Sequence, residues 1–257
     1  MERLRAIARK IFPVASRKWI RSQQRRLNHL PLTRSLGPFG RLHRLTPFRP
    51  LFGFGYGQCI DRYYIEKFLA AHAADIYGRV LEVANNSYTC RFGGTKVVRS
   101  DVLHVVPGNP QATIVADLTR ADDLIPSQAF DCIILTQTLE VIYDVRAALG
   151  TVYRALKPGG VLLATFPGIR HISRPDMDSW GEYWRFTTLS ASKLFGEVFA
   201  DGHVSVQAYG NILTAVAFLH GLVSHELLQE ELEYCDPNYE VLIAVRAVKP
   251  KRDLAQP

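Results

Sequence analysis

Cysteine is scarce: four in 257 residues, widely spaced, with no Cys-x-x-Cys pair and no metal-ligand spacing to the eight histidines. That excludes a disulfide scaffold and a zinc module; no metal is expected, and reduced thiols point to the cytoplasm. No apolar run approaches the roughly 20 residues of a spanning helix. The best stretch, 212–223, is short and is interrupted by His220. Acidic residues are nearly missing from the first 58 positions, where Glu2 stands against thirteen Lys or Arg and the net charge is +12. The remainder carries 18 basic and 23 acidic residues, net −5. No strand candidate is followed by a Gly-x-Gly-x-x-Gly turn, which argues against a nicotinamide-dependent oxidoreductase.

What is present begins with a basic arm. Residues 1–30 set Leu4, Ile7, Ile11, Trp19 and Ile20 among nine Arg or Lys, with Pro13 dividing them. The pattern predicts two short amphipathic helices, suited to an anionic membrane surface, and equally to a solvated arm. The residues up to 57 are rich in Pro and Gly and read as a linker or lid. The domain proper is expected over 58–249, and 250–257 as a tail.

Within that span, Asp61 to Ala74 has helical apolar spacing and predicts a helix along the sheet edge. From Arg79 onward, short apolar runs alternate with helical stretches, as in βαβ units. The strand candidates are 80–84, 97–102, 113–117, 131–136, 161–166, 204–208 and 241–248. Several are continuous apolar runs, as strands covered on both faces require. Helices are predicted over 144–156, 189–199 and within 214–232, the first stopped by Lys157-Pro158-Gly159-Gly160. The fold class is therefore α/β around a mostly parallel sheet.

In such a sheet, ligands bind beyond the carboxyl ends of the strands, where strand order reverses. Four loops qualify: Glu82 to Tyr88, Ser100-Asp101-Val102, Ala116-Asp117-Leu118, and Thr136-Gln137-Thr138-Leu139-Glu140. Asp101 falls 19 residues after Glu82, where a carboxylate can accept both hydroxyls of a ribose. Asp117 could accept from an adenine amino group. Acids at strand ends also serve as helix caps, so the signal lies in their joint appearance.

The stretch Phe130 to Glu140, then Tyr143-Asp144, then Tyr153-Arg-Ala-Leu-Lys-Pro-Gly-Gly160-Val-Leu-Leu-Ala164, resembles S-adenosylmethionine-dependent class I methyltransferases. It is similar to the type 11 branch, and the flanking residues 60–68, 88–94 and 100–104 resemble members that accompany bacterial glycosyltransferases. The resemblance implies a Rossmann-like three-layer sandwich whose seven-stranded sheet has an antiparallel last strand. It also implies S-adenosylmethionine over the strand ends, with Glu82 ordering the first loop, Asp101 holding the ribose, and Asp117 with Leu118 holding the adenine. Ala84, Asn85, Asn86, Val102, Thr136, Gln137 and Thr138 would complete the cofactor site.

Two departures stand out. The Gly-rich turn that such families place after the first strand is Ala84-Asn85-Asn86 here, with Asn tolerating positive φ. Twelve residues separate the first two strands, so the helix between them must shrink to about a turn. Val141 stands where many relatives place His, leaving Glu140, His171 and Tyr183 as candidate catalytic residues. The aromatic and acidic segment 170–186 is the expected acceptor wall, through Asp178, Trp180, Tyr183, Trp184 and Arg185; it also reads as a simple plug. The expected function is methylation of a glycan or small-molecule acceptor, at oxygen. The rival is a non-catalytic module docked to a membrane-associated polysaccharide-synthesis complex, cytoplasmic and peripheral at the inner membrane face. The basic arm also raises nucleic-acid methylation, but no recognition module and no Asn-Pro-Pro-Tyr-like floor supports it.

Overall fold

The computed structural model describes residues 44–121, 123–200 and 202–251. The amphipathic arm read from residues 1–30, with its membrane surface, lies outside them, as do residues 31–43 of the linker and 252–257 of the tail. Residues from Phe48 onward form a compact unit.

Seven strands make one sheet: β1 (Gly78–Val83), β2 (Val97–His104), β3 (Ile114–Val115), β4 (Phe130–Thr136), β5 (Leu156–Pro167), β6 (His203–Tyr209) and β7 (Leu242–Val248). Their spatial order is β3-β2-β1-β4-β5-β7-β6. The pairs from β3 through β5 are parallel, and β7 runs antiparallel to both β5 and β6. Six helices accompany it among the described residues: α1 (Ile60–Ala71), α2 (Val145–Ala155), α3 (Arg174–Ser179), α4 (Thr188–Val198), α5 (Ile212–Leu219) and α6 (Gln229–Glu233).

Alternation along the strands sorts the core into two layers. Leu81, Ile133, Leu135, Leu162, Ala164, Ile243 and Val245 meet Leu149 and Val152 of α2 and Phe195 of α4. Val80, Cys132, Ile134, Leu163 and Ala244 meet Tyr64, Phe68 and Leu69 of α1 and Phe218 of α5. Successive side chains of a strand point to opposite faces, so continuous apolar runs are what a sheet covered on both sides needs. The helix α1 thus lies across the middle of the sheet, where its edge had been expected.

Other differences have local causes. The Lys157-Pro158-Gly159-Gly160 run belongs to β5, with a register shift against β4 and Gly159 at φ 80°, so the helix before it ends at Ala155. The 214–232 stretch divides into α5 and α6. Between β1 and β2 the helix is reduced to a five-residue π turn, Thr89–Gly93, and a 3-10 turn, Gly94–Lys96, as the thirteen connecting residues, 84–96, demand.

Residues 48–57, read as linker, pack onto this body. Arg49 N donates to His220 O at 3.1 Å, and the Arg49 guanidinium pairs with Glu226. Phe52 lies 3.8 Å from the His171 ring, stacked, and 5.4 Å from Phe218. Gly53, at φ 80°, passes so close to the Gly221 carbonyl that a Cβ would collide with it, whereas Gly55, at φ 88°, faces open space. Gly53→Ala should therefore cost roughly 2 kcal/mol, about 5 °C in melting temperature, and Gly55→Ala about half as much. Equal losses in the two melting curves would show that close packing of the strap contributes nothing.

Candidate active site

Connections from β1 diverge: β2 and β3 lie on one side of it and β4 on the other, which opens a crevice beyond the strand ends. There a hollow of ≈ 540 Å³ is lined by the ends of β1 (Val83, Ala84), β2 (Leu103, His104) and β3 (Ala116, Asp117, Leu118). Gln137, Thr138 and Tyr143 follow β4, and Asp176, Trp180 and Tyr183 close the other side. The volume falls within the ~300–1,000 Å³ usual for small-molecule sites.

The first turn achieves its sharpness at Ala84, whose φ is 69°, and not at either asparagine. Asn85 Oδ1 accepts from the amide and hydroxyl of Ser87, while Asn86 Nδ2 donates to Ser100 Oγ at 3.2 Å. Neither asparagine lines the hollow. Glu82 is buried, and its carboxylate accepts from Tyr88 N, Thr89 N and Thr89 Oγ1, which ties the loop down. Burial raises its pKa against those three hydrogen bonds.

Asp101 lies away from the rim. It sits level with Leu81, in the middle of β1, because β2 runs on to His104. The side chain is 1% exposed and is enclosed by Arg79 at 2.7 Å, Arg99 at 3.1 Å and the Thr113 hydroxyl at 3.0 Å. Burial alone would raise its pKa, but these three donors outweigh it and hold it below the usual carboxylate range. Asp101 and its neighbour Val102 do not reach the hollow, nor does Thr136. The residue at the end of β2 is His104, whose Nδ1 approaches Val106 O at 2.8 Å and whose ring meets Trp180 edge-on at 6.0 Å. Sequence reasoning ended the strand at Val102; the apolar residues continuing to Val106 were the signal for a longer one.

Asp117 and Leu118 do line the hollow. Asp117 Oδ1 accepts from Thr119 N and Thr119 Oγ1, both at 2.8 Å. Gln137 and Thr138 line it too. Gln137 holds φ 47°, and its Nε2 is a buried donor with no partner among the described residues.

Of the candidate catalytic residues, Tyr183 alone borders the hollow. Glu140 is 1% exposed beneath it, paired with Arg170 at 3.2 Å. Burial pushes its pKa up to about 7, since Arg170 is shared with Asp176 and Glu182 and cannot offset the lost hydration. His171 stacks on Phe52 instead. Trp180 lines the hollow; Trp184 donates to Ile142 O at 3.0 Å, Arg185 pairs with Glu182, and Asp178 is exposed, all outside it. Asp144, unassigned from sequence, borders it, as does Asp176 of the 170–186 segment. No group of three or more metal-binding side chains occurs among the described residues.

The profile of a methyltransferase domain family matches residues 52–208. The chain belongs to this methyltransferase family. It is an enzyme, and S-adenosylmethionine is the cofactor that the sequence resemblance implies. No curated protein sequence matches it. A protein of Galdieria sulphuraria assigned as a sarcosine dimethylglycine methyltransferase shares the fold at TM-score 0.51 and 14% identity, covering 74% of this chain and 87% of that one. A SAM dependent methyltransferase from Archaeoglobus fulgidus aligns at TM-score 0.49 and 11% identity, over 73% and 94%. The site suits the cofactor: the hollow accommodates an adenosine, Ala84 makes the turn, and Gln137 keeps an unspent donor beside it. Among the described residues, no helix is long and apolar enough to cross a membrane.

Glu140 gives a pH dependence of stability. Its folded pKa is raised, so the stabilising contribution is full below the unfolded value of about 4.5 and is lost as pH rises through about 7. The loss is at most on the order of 3 kcal/mol. In urea titrations, Glu140→Gln should gain stability over the wild type steadily between pH 5 and 8. A difference that stays constant with pH would show that Glu140 does not titrate in this window.

Proposed function

We propose that the enzyme methylates an oxygen of a glycan or a related small-molecule acceptor. The observation that carries this is the two-sided character of the hollow. One side is made of strand ends, and the other joins Tyr143, Trp180 and Tyr183 with Asp144 and Asp176. Aromatic faces cover the apolar face of a sugar ring, and carboxylates accept from its hydroxyls.

On the strand-end side, Ala84 and Gln137 would face the methionine portion, the His104 ring would take the ribose hydroxyls in place of Asp101, and Asp117 with Leu118 would hold the adenine. When bound, S-adenosylmethionine supplies a methyl group already activated by its sulfonium. The chain's task is then alignment and exclusion of water, which needs little acid–base help. Tyr183 and Asp176 orient the acceptor hydroxyl, and Asp176 takes up the proton that it loses. The proposal also keeps the protein cytoplasmic, beside an anionic membrane engaged in polysaccharide synthesis; its support is the +12 charge of the first 58 residues.

Calorimetry with S-adenosylhomocysteine tests the division of the hollow. His104→Ala and Asp117→Ala should each weaken binding about tenfold, the loss of one or two hydrogen bonds. Trp180→Ala should leave binding within about twofold and lower methyl transfer to sugar acceptors. Wild-type affinity in the His104 variant would remove that residue from the ribose site.

A further inference from the structure

Beneath the floor of the hollow lies a charged cluster whose central residue the chemistry above does not use. Its centre is Arg170, whose side chain is 6% exposed. One terminal nitrogen donates to Gln137 Oε1 at 3.1 Å and to Glu140 Oε1 at 3.2 Å. The other donates to Asp176 Oδ2 at 3.2 Å. The guanidinium lies 4.8 Å from the centre of the Phe52 ring, which is itself stacked on His171. Gln137 follows β4 and Asp176 belongs to α3, so this one side chain joins two separate elements that both line the hollow.

Two features set this cluster apart from ordinary packing. Burying one guanidinium among three carboxylates costs desolvation that an apolar plug would avoid, and the Glu140 Oε2 atom is left without a hydrogen-bond partner. The strap that presents Phe52 is strained as well. Leu51 and Phe52 take φ 49° and 60° in succession, a left-handed conformation that residues with a Cβ disfavour. The ring is thus held over Arg170 against the preference of its own backbone.

We propose that Arg170 is a positioning residue for the cofactor site and that Phe52 is its clamp. By accepting the Arg170 hydrogen bond at Oε1, the Gln137 amide is fixed with its Nε2 donor free for a bound ligand. Phe52 keeps the guanidinium in the plane that makes this contact. The inference rests on the cofactor occupying the strand-end side of the hollow.

The test is a double-mutant cycle on the full chain, read by calorimetric affinity for S-adenosylhomocysteine beside the melting temperature. Gln137→Ala should weaken binding about tenfold, and Phe52→Leu roughly three- to tenfold while the fold remains intact. Phe52→Trp, which keeps an aromatic face, should restore most of the affinity. The combined Phe52→Leu and Gln137→Ala variant should bind no more weakly than Gln137→Ala alone, because the clamp acts only through that amide. Additive losses, or wild-type affinity in Phe52→Leu, overturn the proposal. Absence of binding by the wild type overturns the cofactor placement and this inference with it, whereas wild-type binding with unaffected variants overturns the inference alone.

Discussion

The site depends on a topological constraint at β1. The chain leaves this central strand toward β2 and β3, then returns across it to β4, so the loops on either side part and cannot fill the space between them. Backbone groups at the strand ends are left facing a hollow and not a packed neighbour. The two core layers hold the sheet rigid, so the rim residues are placed by the strands beneath them. Ala84, His104, Leu118 and Gln137 share one rim for this reason, although 53 residues separate the first from the last.

Charge placement then separates structural from functional carboxylates. Asp101 has three donors and is spent on holding β1, β2 and the residue before β3 together. Glu82 is spent on the first loop. Asp117 keeps only a local turn through Oδ1 and remains exposed at the rim, which makes it available to a ligand. A buried carboxylate without full compensation is expensive, and Glu140 is one whose cost was not met in full.

Much of this was legible in the amino-acid order. Continuous apolar runs such as Asp131 to Thr136 announced strands covered on both faces, and the Leu-Lys-Pro-Gly-Gly-Val-Leu segment carried the family resemblance that the profile match bears out. The antiparallel last strand followed from that resemblance. What could not be read was register. Moving the end of β2 from Val102 to His104 exchanges an acid for a histidine at the rim, and one sequence gives no direct measure of where a strand stops. Side-chain pairing across long separations was equally hidden: nothing local to Phe52 indicates that its ring meets residues 170 and 171. The aromatic segment 170–186 was found as a wall, but only Trp180 and Tyr183 of its named members face inward, because Trp184 turns back to cap the Ile142 carbonyl.

The most direct measurement is a crystal structure of the chain with S-adenosylhomocysteine. Adenosine density between Ala84, His104 and Leu118, with Asp101 still bound to Arg79 and Arg99, is the expected result. Ribose hydroxyls bonded to Asp101 after it has released those arginines, or a ligand seated away from the strand ends, would contradict it.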